Sequence, residues 1–115
     1  MIDFACKKFS LEEVIRCSFN LSKAEFEVFR ALLNKKNTDL STNDLQEATK
    51  LDLSTVQRAV KKLYDQGLLQ RMQANLSGGG YVFSYKIKSR GEIRGKIVEI
   101  VNNWAKRVEV EFDKW

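Results

Sequence analysis

The sequence predicts an α+β fold that is mostly helical, and three observations lead to this prediction. Several segments carry apolar residues every three or four positions, which is the spacing of amphipathic helices. Two short stretches after them alternate apolar and polar residues, as β-strands with one buried face do. Three consecutive glycines, residues 78–80, separate these stretches and predict the tip of a hairpin.

Length and composition favour a single domain that spans residues 1–115. Domains commonly hold about 100–150 residues, and this chain of 115 residues is 43% hydrophobic and 30% charged. No apolar run reaches the roughly 18 residues of a membrane span. The start of the chain, MIDFACKKFSLEE, lacks the basic and apolar regions of a signal peptide. We therefore expect a cytoplasmic protein.

The lack of histidine excludes several classes of enzyme. Without His, the two cysteines cannot complete a four-ligand Cys/His zinc site, and no Ser–His or Cys–His nucleophile pair can form. Neither phosphate-binding pattern, GxxxxGK[ST] or GxGxxG, occurs. We expect no catalytic activity, no cofactor and no metal. We expect Cys6 and Cys17 to be buried as small hydrophobic residues, with a redox switch or a bridge between subunits as the alternatives.

Capping residues and apolar stripes predict four helices before the hairpin. Ser10 with Glu13, and Ser22 with Glu25, match the capping box, in which each side chain satisfies a backbone N–H at the start of a helix. Ser54 is the expected N-cap of the fourth helix. The expected helices span residues 10–18, 22–34, 42–49 and 54–66.

The fourth of these helices separates its apolar residues from its polar ones. At about 100° per residue, one face of roughly 100° of arc is apolar. This apolar face holds Val56, Ala59, Val60 and Leu63. The opposite face holds Ser54, Arg58, Lys61 and Asp65. Gly67 follows and is expected to end the helix in the left-handed conformation.

Positive charge is concentrated in this helix and the hairpin after it. Residues 54–88 hold six Lys or Arg and one acid, which gives +5. Residues 1–53 hold eight basic and nine acidic residues, and residues 89–115 hold six and five, which gives −1 and +1. This clustering favours an anionic partner over a general role in solubility. An ordinary solvated helix surface is the alternative interpretation.

The last part of the sequence predicts two strands and a long helix. The strands are expected over residues 68–74 and 81–88, and the helix over residues 89–112, where Ser89 and Glu92 begin it. At 1.5 Å per residue this helix is about 36 Å long, which exceeds what so small a domain covers. Its apolar stripe is the expected seam of a homodimer, and folding back on its own domain is the alternative. The stripe consists of Ile93, Ile97, Ile100, Val101, Trp104, Val108 and Phe112.

This order of elements is that of a winged helix-turn-helix with an N-terminal helix and a long C-terminal dimerisation helix. The segment STVQRAVKKLYDQGLLQR resembles the recognition helix and first wing strand of MarR-like and TrmB-like transcriptional regulators, especially small archaeal ones. The resemblance covers residues 20–88, and EIRGKIVEIVNNWAKRV echoes the C-terminal helix of these proteins. The sequence departs from these regulators in two ways. Lys50 stands where the turn before the recognition helix usually has glycine. The sugar-binding domain of the larger TrmB proteins is also lacking.

The resemblance and the charge together predict double-stranded DNA as the partner. An α-helix fits the major groove, where Arg58 suits guanine and Gln57 suits adenine. Hydroxyls at the start of the helix, lysines along it and basic residues of the wing suit phosphates. The expected DNA-binding residues are Ser54, Thr55, Gln57, Arg58, Lys61, Lys62, Arg71, Lys86 and Lys88. A winged helix that binds another protein, without specific DNA binding, is the alternative function.

Overall fold

The computed structural model describes residues 1–115 and confirms the mostly helical α+β class. The helices are α1 (Leu11–Phe19), α2 (Lys23–Asn34), α3 (Thr42–Thr49), α4 (Leu53–Asp65) and α5 (Arg90–Asp113). The strands are β1 (Ile2–Phe4), β2 (Lys7–Phe9), β3 (Leu69–Asn75) and β4 (Tyr81–Ile87). None of the helices combines the length and the apolar character that crossing a bilayer requires.

The chain divides into two compact units. One unit is continuous, residues 21–88, and holds α2, α3, α4, β3 and β4. Three helices followed by an antiparallel hairpin form a winged helix-turn-helix, with α4 in the position of the recognition helix. The other unit joins residues 1–20 to residues 89–115 and holds β1, β2, α1 and α5. The single domain over the whole chain stays a prediction.

Helix α4 lies at the centre of the continuous unit, because it packs on α2, on α3 and on β3. Its apolar face has exposed fractions of 0–1% and consists of Val56, Ala59, Val60 and Leu63. Phe29 of α2, Leu45 of α3 and Leu69 of β3 are also buried. Burial of a Val, Leu or Phe side chain contributes about 1.5–3 kcal/mol each, so this contact dominates the stability of the unit.

Reciprocal hydrogen bonds begin α1 and α2 at the predicted serines. In α2, the hydroxyl of Ser22 accepts from the N–H of Glu25 at 3.1 Å, and the Glu25 carboxylate accepts from the N–H of Ser22 at 2.7 Å. The same pair of bonds joins Ser10 and Glu13 in α1. The capping boxes that the sequence predicts for α1 and α2 are therefore confirmed.

The start of α4 differs from the prediction, because Asp52 and not Ser54 is its N-cap. The Asp52 carboxylate accepts from the backbone N–H of Thr55 at 3.3 Å and from the hydroxyl of Ser54 at 3.1 Å. Both residue types cap helices well, but the charge of a carboxylate also interacts favourably with the positive end of the helix dipole. The N-cap consequently lies two residues earlier than expected, and α4 begins at Leu53.

The end of α4 is the predicted left-handed turn at Gly67. This glycine has φ of 77°. Its N–H donates to the carbonyl of Tyr64 at 2.9 Å, and the N–H of Leu68 donates to the carbonyl of Leu63 at 3.0 Å. The two bonds form a Schellman motif, which satisfies the last carbonyls of the helix and turns the chain into β3.

The wing is the antiparallel hairpin of β3 and β4. Its register pairs Leu69 with Ile87 at the base and Asn75 with Tyr81 near the tip. The glycines of the tip supply the positive φ angles of the turn, 96° at residue 79 and 81° at residue 80. Two bonds of 2.8 Å between Leu40 and Tyr85 fasten the base of the wing to the segment before α3.

The N-terminal residues form a hairpin that the sequence analysis missed. Strands β1 and β2 pair antiparallel, with Phe4 opposite Lys7. The ring of Phe4 meets the ring of Trp104 edge-on, with 6.4 Å between centroids. This contact joins the hairpin to α5 within the second unit. Three-residue strands give too short an alternation to stand out in a sequence.

The prediction that the two cysteines are buried is wrong. Cys6 occupies the turn between β1 and β2 and is exposed. Cys17 is exposed on α1, whose buried residues are Ile15 and Phe19. Cys17 is two positions from both Ile15 and Phe19, and residues with this spacing point about 160° apart on a helix. Cys17 therefore faces the solvent.

Replacement of Lys50 by glycine is expected to stabilise the protein. Lys50 ends α3 with φ of 63° and ψ of 16°, a left-handed conformation that costs a non-glycine residue about 1–2 kcal/mol. Part of that gain is offset by the greater chain entropy of unfolded glycine. We expect Lys50→Gly to raise the free energy of unfolding by about 0.5–1 kcal/mol in urea titrations.

The control is Lys36→Gly, at an exposed turn position that lacks a positive φ. There glycine brings only its entropic cost, and we expect a small loss of stability. Equal changes in the two variants would contradict the account of Lys50.

Candidate nucleic-acid interface

The exposed face of α4 carries Gln57, Arg58 and Lys61. Arg58 and Lys61 lie opposite the buried apolar face and Gln57 lies beside them, so the core fixes the direction of all three. The Nζ of Lys61 lies 4.0 Å from the Oδ2 of Asp65, and the two side chains are 82% and 61% exposed. An ion pair this exposed contributes little to stability, so Lys61 is free to exchange this partner for another anion. The structure therefore brings the three predicted base- and phosphate-contacting residues together.

The first turn of α4 is occupied by a carboxylate of the chain itself. Hydrogen bonds from Thr55 and Ser54 lower the pKa of Asp52 below its usual value. The two hydroxyl residues that the sequence assigns to a phosphate thus already hold an anion. Asp52 is a residue of the interface that the sequence analysis missed, although an acid three positions before Thr55 is itself a helix-start signal.

Lys62 points to the core side of the predicted interface and forms part of the scaffold. Its Nζ lies 3.0 Å from the Oε1 of Glu25, and the two side chains are 31% and 20% exposed. Burial raises the pKa of Glu25, but hydrogen bonds from the Ser22 backbone and from Lys62 lower it by more, and the net pKa is lowered. Glu25 therefore serves α2 as a capping residue and links α2 to α4.

The basic residues of the wing lie on two different faces. The register places Arg71 opposite Tyr85 and Lys86 opposite Gln70, and side chains of successive residues point to opposite faces of a hairpin. Arg71 therefore shares the inner face with Tyr85, whereas Lys86 lies on the outer face. Lys88 follows β4, and its N–H donates to the carbonyl of Leu68 at 3.0 Å.

Most of the predicted dimer seam is exposed on α5. The exposed fractions are 47% for Val101, 57% for Trp104, 48% for Val108 and 70% for Phe112. Ile97 and Ile100 are half-buried. Ile93 is only 7% exposed, so the surface that α5 offers to another molecule begins one turn after it.

Comparison with known proteins gives the family. The DnaD N-terminal domain family matches residues 9–108, which is most of the chain. The chain belongs to the DnaD N-terminal domain family. It is 33% identical over 113 residues to an uncharacterized protein of Methanocaldococcus jannaschii, across 94% of this chain and 84% of that protein. A second uncharacterized protein of the same organism is 29% identical over 109 residues, across 95% of this chain and 85% of that protein.

Two solved structures are similar to this member of the family. A possible transcriptional regulator from Methanosarcina mazei Go1 is 50% identical with a TM-score of 0.94, over 100% of this chain and 96% of that one. A protein from the thermoacidophilic archaeon Sulfolobus tokodaii is 24% identical with a TM-score of 0.67, over 87% and 92% of the two chains. The second likeness shows the fold alone. Kinship with MarR-like and TrmB-like proteins in particular stays a prediction.

Loss of the Glu25 carboxylate is expected to make the free energy of unfolding less dependent on pH in the acidic range. A carboxylate with a lowered folded pKa stabilises the protein above its unfolded pKa, and this contribution disappears as the pH falls through the folded pKa. We expect Glu25→Gln to lower the free energy of unfolding by about 0.5–1 kcal/mol at pH 7, because glutamine can still cap the helix but cannot form an ion pair with Lys62. The difference from the unmodified protein should shrink as the pH falls through the lowered folded-state pKa of Glu25.

Urea titrations between pH 3 and pH 7 measure this difference. The matched control is Glu27→Gln, which removes the same charge from α2 at a position outside the capping box and the ion pair. A constant gap between Glu25→Gln and the unmodified protein at all pH values would contradict the role of the carboxylate.

Proposed function

We propose that the protein is a sequence-specific regulator of transcription that binds double-stranded DNA as a homodimer and has no enzymatic activity. The observation that carries this proposal is the division of α4. One face has exposed fractions of 0–1%, and the exposed side of the helix presents Gln57, Arg58 and Lys61 to the solvent. A helix held rigidly from behind, with hydrogen-bonding and basic side chains in front, has the properties that reading a DNA groove requires.

In this proposal α4 occupies the major groove. The guanidinium of Arg58 pairs with the O6 and N7 of a guanine, and the amide of Gln57 pairs with the N6 and N7 of an adenine. Lys61 contributes counterion release at the phosphates. Lys62 contributes less than the sequence predicted, because its ammonium is engaged by Glu25. Ser54 and Thr55 contribute little to phosphate binding, because both already donate to the Asp52 carboxylate and its charge repels the phosphates of the DNA.

The wing lies on the DNA backbone in this proposal. Arg71, Lys86 and Lys88 are its basic residues, and the tip at residues 76–80 is uncharged. The two faces of the hairpin carry Arg71 and Lys86 separately, so these side chains contact different phosphates. If each subunit makes roughly three to five phosphate contacts, the dimer has a log–log salt slope of about −5 to −9.

The stripe on α5 is the proposed homodimer seam. A run of exposed apolar side chains from Val101 to Phe112 is an unfavourable surface for a lone chain in water. Pairing of two such helices removes it, and a two-fold dimer places two recognition helices in successive major grooves about 34 Å apart. The DNA sequence that such a dimer recognises is a palindrome.

The relatives support this proposal. The protein from Methanosarcina mazei Go1, which shares 50% of its residues with this chain, is described as a possible transcriptional regulator. The relatives named above are archaeal, in agreement with the archaeal origin that the resemblance predicted. A MarR-like or TrmB-like mode of regulation and a cytoplasmic location stay predictions.

The second candidate is a winged helix that binds another protein. The exposed stripe on α5 favours it, because apolar surface of this kind also suits a different chain. Selection of bound duplexes from a random DNA pool separates the two functions. A palindromic consensus supports the homodimeric regulator, and unselective recovery of duplexes supports the protein-binding module.

Arg58→Ala is expected to relax the sequence preference of the protein. Loss of a bidentate contact to guanine costs about 1–3 kcal/mol at a single base position. Affinities for the selected duplex and for its single-base variants measure the change. The control Lys114→Ala removes the same charge from the end of α5 and should leave the preference at that position intact. An unchanged preference in Arg58→Ala would show that this residue reads no base.

Trp104→Asp is expected to yield monomers. A carboxylate at the centre of the stripe is buried without a partner when two helices pair, which costs several kcal/mol. Sedimentation at micromolar concentration measures the association state. The matched control is Val110→Asp, because Val110 is 53% exposed but lies on another side of α5. Sedimentation of the unmodified chain as a monomer would refute the homodimer.

A further inference from the structure

The guanidinium of Arg71 lies against two aromatic rings. Its central carbon is 4.4 Å from the centroid of Tyr64 and 4.5 Å from the centroid of Phe83. Both distances are well inside the range in which a cation is attracted to the face of a ring. The Tyr64, Arg71 and Phe83 side chains, here called the wing clamp, join the last turn of α4 to both strands of the wing.

Arg71 is not neutralised by the protein. It takes part in none of the ion pairs of the structure, which involve Lys61, Lys62 and Lys114. A guanidinium that stacks on rings keeps its five N–H donors in its own plane, directed away from the ring faces. The wing clamp therefore holds a positive charge between the helix and the wing, with no acidic side chain of the protein paired to it.

The position of the wing clamp connects it to the exposed face of α4. Gln57, Lys61 and Tyr64 are spaced four and three residues apart, so they lie in one row along the helix. The row ends at the ring that Arg71 covers. The Schellman bonds around Gly67 fix where β3 leaves α4, and the register of the hairpin places Phe83 diagonally across from Arg71.

We infer that Tyr64 and Phe83 are positioning residues that hold the Arg71 guanidinium for a two-point contact with one phosphate of the DNA backbone, next to the groove that α4 occupies. This inference rests on the proposed function. A flat guanidinium matches two phosphate oxygens with two parallel N–H bonds. Because contact with the two rings restricts the guanidinium before binding, less side-chain freedom is lost when the phosphate arrives.

The free protein offers a first test, which does not depend on DNA. Ring currents of Tyr64 and Phe83 act on the Nε–Hε group of Arg71, so its NMR resonance should be displaced from that of an exposed arginine. Tyr64→Leu and Phe83→Leu should each return the resonance part of the way. Tyr64→Phe and Phe83→Tyr, which keep a ring, should leave it displaced. A resonance at the ordinary position in the unmodified protein would refute the wing clamp.

Duplex binding at several salt concentrations provides the second test. Arg71→Ala should lower affinity about tenfold and make the salt slope shallower by about 1 per subunit, because one phosphate contact is lost. Arg71→Lys should keep the slope but lose roughly threefold to tenfold in affinity, since an ammonium cannot make the planar two-point contact. The ring-deleting variants should lose roughly twofold to fivefold.

A double-mutant cycle separates positioning from a general role in folding. If Tyr64 acts through Arg71, then Tyr64→Leu should cause no further loss of affinity in a chain that already carries Arg71→Ala. If Tyr64→Leu lowers the affinity by the same factor in chains with and without Arg71, the ring only supports the fold. Urea midpoints of all variants confirm that each is folded at the binding temperature.

The outcomes also distinguish this inference from the proposed function. Failure of the unmodified protein to bind any duplex overturns both. Binding by the unmodified protein, with Arg71→Ala equal to it in affinity and salt slope, overturns the wing clamp alone and leaves the DNA-binding function standing.

Discussion

Burial of one face of α4 is the constraint on which the rest of the continuous unit depends. The four apolar residues of this face are almost fully withdrawn from water, and they fix both the position of the helix and its rotation about its own axis. Rotation sets the direction of the opposite face, so the core determines where Arg58 points although it never touches that side chain. Leu63 extends this control, because its carbonyl receives the Leu68 bond that starts the wing.

The charge of the interface is more focused than the sequence suggests. Residues 54–88 carry +5, but Asp52 lies just outside this window, so residues 52–88 carry +5 − 1 = +4. Asp52 at one end of α4 and Asp65 at the other leave the positive potential strongest in the middle of the helix. Lys62 is withdrawn into its pair with Glu25. The basic residues of the interface that form no ion pair are Arg58 on α4 and Arg71, Lys86 and Lys88 of the wing.

Sequence periodicity predicted the order of the helices and the wing because both depend on local signals. The serine caps of α1 and α2, the apolar face of α4 and Gly67 each depend on signals within a few residues, and the structure places all of these as expected. The N-cap of α4 was wrong because Asp52 and Ser54 satisfy the same local rule, and only the hydrogen bonds choose between them. The partners of Lys62 and Arg71 were beyond prediction, because Glu25 and Phe83 approach them only once the chain is folded.

The two exposed cysteines have a consequence for any measurement of the association state. Both belong to the unit that carries the α5 stripe, and exposed thiols on different molecules meet in solution without help from an apolar seam. Air oxidation therefore generates covalently linked pairs that sediment like a homodimer. These pairs survive dilution and salt but dissociate on addition of a reducing agent. Only association that persists with the thiols kept reduced or alkylated reports on the helix surface itself.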